Sequence, residues 1–163
     1  MAGVSLGLIN YHFKNRENLI HEAVRWYVNE EVISEYSAEM QSNGKSLSPI
    51  EILAGIIKGP LDYVVSEPEL SRISILNDLT SPDTRDNTEE TWKRLFQSLI
   101  HILKRAPSQK TKVMLWGVIA GIHEAFLRPK HFYSNCQLNI ELESDREAYA
   151  QQLASQIMAV QDG

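Results

Sequence analysis

The 163-residue chain has a single cysteine, Cys136. One thiol excludes a disulfide framework and a cysteine-rich zinc site, and it suits a reducing cytosol. A cytoplasmic location is therefore expected. Long hydrophobic runs are also missing. The longest, Val113 to Ile122, is about half of what a membrane span needs, so no membrane partner is expected. The chain does not open with a charged stretch followed by an apolar one, so nothing signals secretion. Positive charge is scarce, with 16 Lys and Arg against 21 Asp and Glu for a net charge of -5. Taken alone, that balance argues against a nucleic-acid binder, which is usually basic. Catalytic signatures are absent too: there is no nucleophile elbow, P-loop or dinucleotide fingerprint. The five histidines, His12, His21, His101, His123 and His131, stand in no recognisable zinc spacing. Cys136 lies in a loop stretch with no base near it in sequence, which reads as a bland thiol. Neither a metal, nor a cofactor, nor enzymatic chemistry is expected.

What is present points to an ordinary globular domain, 43% hydrophobic and 23% charged. At roughly 150 residues per domain this is one domain with room for a small appendage. Such a chain buries about 70% of its unfolded surface and folds without staples. Helix start signals recur. Ser48-Pro49-Ile50-Glu51 is a capping box with proline at the first helical position, where its missing N–H costs nothing. Ser66-x-x-Glu69, Asn87-x-x-Glu90 and Ser144-x-x-Glu147 repeat the pattern, and Asn15 caps a segment beginning Arg16-Glu17. Behind each signal the apolar spacing is three and four rather than two. The expected fold class is all-α.

The predicted helices are Ser5–Tyr11, Arg16–Met40, Pro49–Ser66, Pro68–Thr80, Thr88–Arg105, Gln109–Leu127 and Asp145–Val160. Gln41–Lys45, Ser81–Asp86, Ala106–Ser108 and Pro129–Glu143 connect them. Pro60 is expected to kink or split its helix. Within Gln137–Glu143, Leu138, Ile140 and Leu142 alternate with polar residues, which reads as an extended loop because a lone strand has no partner. In Arg16–Met40 apolar residues recur every four positions, at Ile20, Val24, Val28, Val32, Tyr36 and Met40. At 3.6 residues per turn that ridge drifts about 40° per step, so the helix meets different partners at its two ends and reads as a connector.

Gln109–Leu127 is apolar on more than one side. Leu115, Val118, Ile119, Ile122 and Phe126 form one face, and Met114, Gly117, Gly121 and Ala125 another. Asp145–Val160 adds Tyr149, Leu153, Ile157 and Val160. Two such helices from each subunit would build a four-helix homodimer interface from Met114, Gly117, Gly121, Ala125, Tyr149, Leu153 and Ile157. The competing reading makes both faces core within one chain.

The stretch Ala2-Gly3-Val4-Ser5-Leu6-Gly7-Leu8-Ile9-Asn10-Tyr11-His12-Phe13-Lys14-Asn15-Arg16-Glu17-Asn18-Leu19-Ile20 resembles the end of the helix-turn-helix in the tetracycline-repressor (TetR) family of bacterial transcriptional regulators. The family pattern runs approximately A-G-V-S-x-G-x-[LI]-Y-x-H-F-x-x-K-x-x-L. Matches fall at Ala2, Gly3, Val4, Ser5, Gly7, Ile9, His12, Phe13 and Leu19. Arg16 replaces the usual lysine, and Asn10 the usual tyrosine, with Tyr11 beside it. The motif is quite specific but covers about an eighth of the chain.

Read physically, Ala2-Gly3-Val4 would be the turn and Ser5 the cap of a short recognition helix entering a major groove. Ser5, Leu6 and Asn10 would meet base edges, while Tyr11, His12, Lys14 and Arg16 would hold phosphates. The competing reading makes Tyr11, His12 and Lys14 a solvated helix end. The family carries roughly forty further residues ahead of this point, forming the two helices on which the recognition helix packs. A helix of under ten residues is not stable alone in water. Residues 1–15 are therefore read as a remnant of the DNA-binding domain and 16–163 as the effector-binding and dimerisation body. This polypeptide by itself is not expected to bind operator DNA specifically.

The resemblance further implies a small-molecule effector held within the helical body. Tyr27, Tyr63, Trp92, Phe96, Trp116 and His123 are the candidate lining residues, against plain core packing for any one of them. The charge balance fits such a division. Residues 1–25 carry Lys14, Arg16 and Arg25 against Glu17 and Glu22, so the acidity belongs to the body, which need not touch DNA. The resemblance implies a ligand-responsive regulator, a repressor in the family's manner, that binds operator DNA as a homodimer in its full-length form. The alternative is a helical small-molecule-binding or scaffold protein without DNA binding.

Overall fold

A computed structural model describes Leu19, residues 47–82 and residues 86–161. Six helices make up the long stretches: α1 (Pro49–Ser66), α2 (Pro68–Thr80), α3 (Asn87–Leu103), α4 (Gln109–Leu127), α5 (Pro129–Cys136) and α6 (Glu143–Gln161). Among the described residues there is no strand, and the class is all-α. The expected helix Ser5–Tyr11, all of Arg16–Met40 but Leu19, and the loop Gln41–Lys45 lie outside the described residues.

The caps show why the helices begin where they do. At α1 the capping box is complete: the Glu51 N–H donates to Ser48 Oγ at 3.3 Å, and the Ser48 N–H donates to Glu51 Oε2 at 2.7 Å. The Ser48 hydroxyl and amide hold the Glu51 carboxyl below its ordinary pKa. Ser108 caps α4, accepting from the Thr111 N–H at 3.2 Å. Elsewhere the expected caps shift. Ser66 turns its hydroxyl back to the Tyr63 carbonyl, and Glu67 alone joins α1 to α2, which starts on Pro68. Asp86 rather than Asn87 caps α3, accepting from the Glu89 N–H at 2.8 Å, because the Asn87 side chain is engaged with α2. Ser144 lies inside the first turn of α6, which begins at Glu143.

At two prolines the helices run further than a break or a loop would allow. Pro60 does not split α1, which runs unbroken from Pro49 to Ser66, with buried Leu53, Ile57, Leu61 and Val64 anchoring it on both sides of the proline. Pro129, expected to open a loop, instead occupies the first turn of α5, where proline is well tolerated. Cys136 is accordingly the exposed last residue of a helix. The stretch after it is a loop, as expected. Asp145 Oδ2 accepts from the Asn139 N–H at 2.8 Å, and Arg146 Nη1 donates to the Ile140 carbonyl at 2.8 Å.

α1 is the central helix and packs most extensively against α6. Leu53, Ile57 and Leu61 are fully buried there, and Ala150, Ala154 and Ile157 of α6 are small or shaped enough to bring the two helices together. Full burial of one such Leu or Ile contributes about 1.5–3 kcal/mol. Asp62 fastens the same seam. It takes Arg146 Nε at 2.6 Å on Oδ1 and Lys58 Nζ at 2.7 Å on Oδ2. Lys58 also reaches Glu143 at 3.3 Å. Burial opposes the charge on Lys58, but Asp62 and Glu143 outweigh it and raise its pKa. α3 and α4 close the other side through Leu95, Leu99, Leu115, Ile119 and Ile122.

This packing corrects the expected dimer face. Ala125 and Ile157 are fully buried within the chain, so neither presents a surface to a partner. Gly121 serves an internal contact, since a Cβ built on it would lie 2.6 Å from the Tyr149 hydroxyl oxygen. Met114, Tyr149 and Leu153 are half-buried against the core. Of the seven residues only Gly117 is exposed, with open space around it. The outward edge of α4 is instead Val113, Trp116, Gly117 and Ala120, one position away from the stripe chosen by spacing.

Candidate functional site

A cavity of about 410 Å³ lies between α1, α2, α3 and α4. Its volume falls in the range typical of small-molecule sites. One wall is apolar: Ile56 and Val64 of α1, Ile75 of α2, Leu95 of α3, and Ile119 and Ile122 of α4. Most of the lining surface is apolar, and the polar residues within it come mostly from α2 and the start of α3.

The polar residues are there because α2 is built inside out. Its buried positions are Ser71, Ser74, Ile75 and Asp78, spaced so that three polar side chains share the inward face. Its apolar residues Ile73, Leu76 and Leu79 face outward, with Leu79 at 64% exposure. A surface helix normally does the reverse. Most of the inward polar groups are used to tie α2 to α3. Asp78 Oδ2 accepts from both the Thr88 N–H at 2.9 Å and the Thr88 hydroxyl at 2.8 Å. This places a second carboxylate, beside Asp86, at the positive end of the α3 dipole. Asn87 Nδ2 donates to Ser74 Oγ at 2.7 Å.

Two polar atoms on this wall remain without a hydrogen-bond partner among the described residues: Ser71 Oγ, on a residue only 2% exposed, and Asn87 Oδ1. A buried polar group left unsatisfied costs about 1–3 kcal/mol. A serine inside a helix usually turns its hydroxyl onto the carbonyl one turn back; Ser71 does not. Pro60 adds a third polar feature. Having no N–H, it cannot serve the Ile56 carbonyl one turn before it, and both residues line the cavity.

Charged groups are few. Arg94 and His123 line the cavity beside Asp78. Burial lowers the Arg94 pKa, while Glu90 one turn earlier favours its charge. Burial likewise lowers the pKa of His123 against a weaker opposing pull from Asp86, so the imidazole is neutral at pH 7.

The residues expected to line an effector site divide into three groups. Tyr63 and His123 line the cavity. Trp92, Phe96 and Trp116 do not; they form an aromatic ladder instead, with Trp92 4.9 Å from Phe96 and 6.2 Å from Trp116 between ring centroids, and Lys112 above Phe96. Tyr27 lies outside the described residues, as do Ser5, Leu6, Asn10, Tyr11, His12, Lys14 and Arg16. Sequence reasoning missed Ser71, Ser74, Asp78, Asn87 and Thr88. The available signal was the polar stripe 71–74–78, whose helical spacing equals that of an apolar face.

Among the described residues, no group of three or more His, Cys, Asp or Glu is placed to hold a metal ion. No helix among them is long and apolar enough to cross a membrane. Comparison with protein-family models, curated proteins and solved structures found no match to this chain.

Proposed function

We propose that this chain is the effector-binding body of a TetR-like transcriptional regulator, and that the cavity between α1, α2, α3 and α4 holds its small-molecule effector. The observation that carries the binding half of this reading is the inside-out α2, which buries Ser71, Ser74 and Asp78 at a cavity wall while exposing Ile73, Leu76 and Leu79. Such an arrangement sacrifices apolar burial and sets a few polar groups into a largely apolar lining, which suits a ligand better than it suits a core. The regulatory half rests on the motif from Ala2 to Leu19. The activity is binding rather than catalysis. The effector prefers one of two subunit arrangements and changes operator affinity by linkage. The homodimer of this reading uses the exposed edge of α4, where Val113, Trp116, Gly117 and Ala120 form a partly apolar strip.

A gel-shift titration tests the regulatory half. It uses a form carrying the helix-turn-helix residues that the resemblance places ahead of Met1, with DNA flanking its own gene. Sequence-selective binding that a cavity ligand weakens or strengthens supports the proposal. Ligand binding without selective DNA binding by that form assigns the chain to the alternative class, a helical small-molecule-binding protein.

A further inference from the structure

We infer that the cavity selects an uncharged alcohol: an apolar body bearing a hydroxyl that both donates and accepts at Ser71 and Asn87. The inference rests on the cavity being a ligand site, as proposed above, and names the chemical class it takes.

The orphaned groups set the requirement. Ser71 Oγ is buried, lines the cavity and has no partner among the described residues; its rotatable hydroxyl can donate or accept. Asn87 Oδ1 is an orphaned acceptor on the same wall. Asn87 Nδ2 is held by the Ser74 hydroxyl, so it is the acceptor oxygen that is left over. The Ile56 carbonyl adds an acceptor whose helical donor Pro60 has removed. A carboxylate has no proton to offer Asn87 Oδ1, and an ammonium, which could donate to both groups, brings a charge that Arg94 on the same lining opposes. A hydroxyl donates to Asn87 and accepts from Ser71 without bringing a charge.

The charges in the cavity point the same way. Asp78 is spent on Thr88 at the α3 N-terminus, and its carboxylate disfavours an anion nearby. Arg94 carries the opposite charge on the same lining, with Glu90 supporting it, and disfavours a cation. His123 is neutral. A charged ligand gives up its hydration and meets a like charge on the lining, Asp78 for an anion and Arg94 for a cation, whereas a neutral one meets neither penalty. The facing wall of Ile56, Ile119 and Ile122 accepts the hydrocarbon part.

Isothermal titration calorimetry of the 163-residue chain with four probes of one chain length, decan-1-ol, decanoate, decylammonium and decane, tests this. The expected result is that decan-1-ol binds one-to-one and at least tenfold more tightly than each of the others. In Ser71→Ala, decan-1-ol binding weakens roughly fivefold, the worth of one neutral hydrogen bond, while decane binding is unchanged. Thermal melts of the variant alongside the parent confirm that the fold is intact, and Asn87→Ser, which keeps a short hydroxyl on that wall, loses less than Asn87→Ala. Equal binding of decan-1-ol and decane means that water already serves Ser71 and Asn87 and overturns the inference while leaving the cavity a ligand site. Tighter binding of decanoate or decylammonium overturns it too. Binding of none of the four overturns both the alcohol and the ligand site.

Discussion

The two sides of α1 solve the same packing problem differently. Toward α6 the helix presents Leu53, Ile57 and Leu61 to Ala150, Ala154 and Ile157, all at or near zero exposure. Toward α2 and α3 the same helix presents Ile56, Gly59, Pro60 and Tyr63 to a cavity walled by Ser71, Ser74 and Asp78. The first side is dry and close-packed, and its one polar cluster, Lys58, Asp62, Glu143 and Arg146, sits at the rim with its ion pairs formed. The second side has space and two buried polar atoms that nothing among the described residues satisfies. The close-packed α1–α6 seam, with its buried side chains and ion pairs, offsets the unsatisfied groups on the α2–α3 side.

That contrast can be broken most forcefully at the seam. Ile57→Ala removes a fully buried side chain from the close-packed side and is expected to cost about 2–5 kcal/mol in urea denaturation. Ile75→Ala, on the cavity wall, should cost less, because space already adjoins it. Equal losses would mean the two sides are packed alike. Next in size is Arg146→Ala. It strips Asp62 of its 2.6 Å partner and the Ile140 carbonyl of its 2.8 Å donor, and should cost about 1.5–3 kcal/mol. Sodium chloride should recover little of that loss, because Arg146 is largely shielded from solvent.

The cavity side should respond in the opposite sense. Ser71→Ala deletes an unsatisfied hydroxyl and is expected to leave the ligand-free protein unchanged or up to about 1 kcal/mol more stable by thermal denaturation. A loss of 2 kcal/mol or more would show that the hydroxyl is satisfied after all. The smallest effect concerns His123. Its folded pKa lies below the unfolded value of about 6.5, so the unfolded state takes up the proton first as pH falls. Its contribution is fully present above pH 6.5 and is lost as pH drops toward the folded pKa. His123→Gln should flatten the stability profile in that window, and an unchanged slope would place the acid sensitivity elsewhere.

Much of this could be read from the chain itself, and the failures have physical causes. α1, α2 and α4 run between the residues expected, because Ser48, Pro49, Pro68 and Ser108 are local start signals that no tertiary contact overrides. α3 begins one residue before the expected Thr88, with Asp86 as its cap while Asn87 bonds Ser74, and ends at Leu103 rather than Arg105, where Lys104 turns left-handed. The inward face of α2 was not legible. Leu70, Ile73 and Leu76 satisfy helical spacing as well as Ser71, Ser74 and Asp78 do, and only the partners decide which face turns in. Aromatic side chains suit pocket lining as well as they suit one another, and Trp92, Phe96 and Trp116 stack together outside the cavity. Gly121 looked like a dimer contact because small residues permit close approach; the element approaching is Tyr149 of the same chain.

The central claim is that the hollow side of the molecule is a site for a small molecule. Native mass spectrometry of the chain mixed with decan-1-ol, run beside the cavity-filling variant Ile119→Trp, tests it most directly. The account predicts a one-to-one adduct on the parent chain and none on the variant, with both showing the same helical circular dichroism spectrum. An adduct that persists on the filled variant, or its absence from the parent, would contradict it.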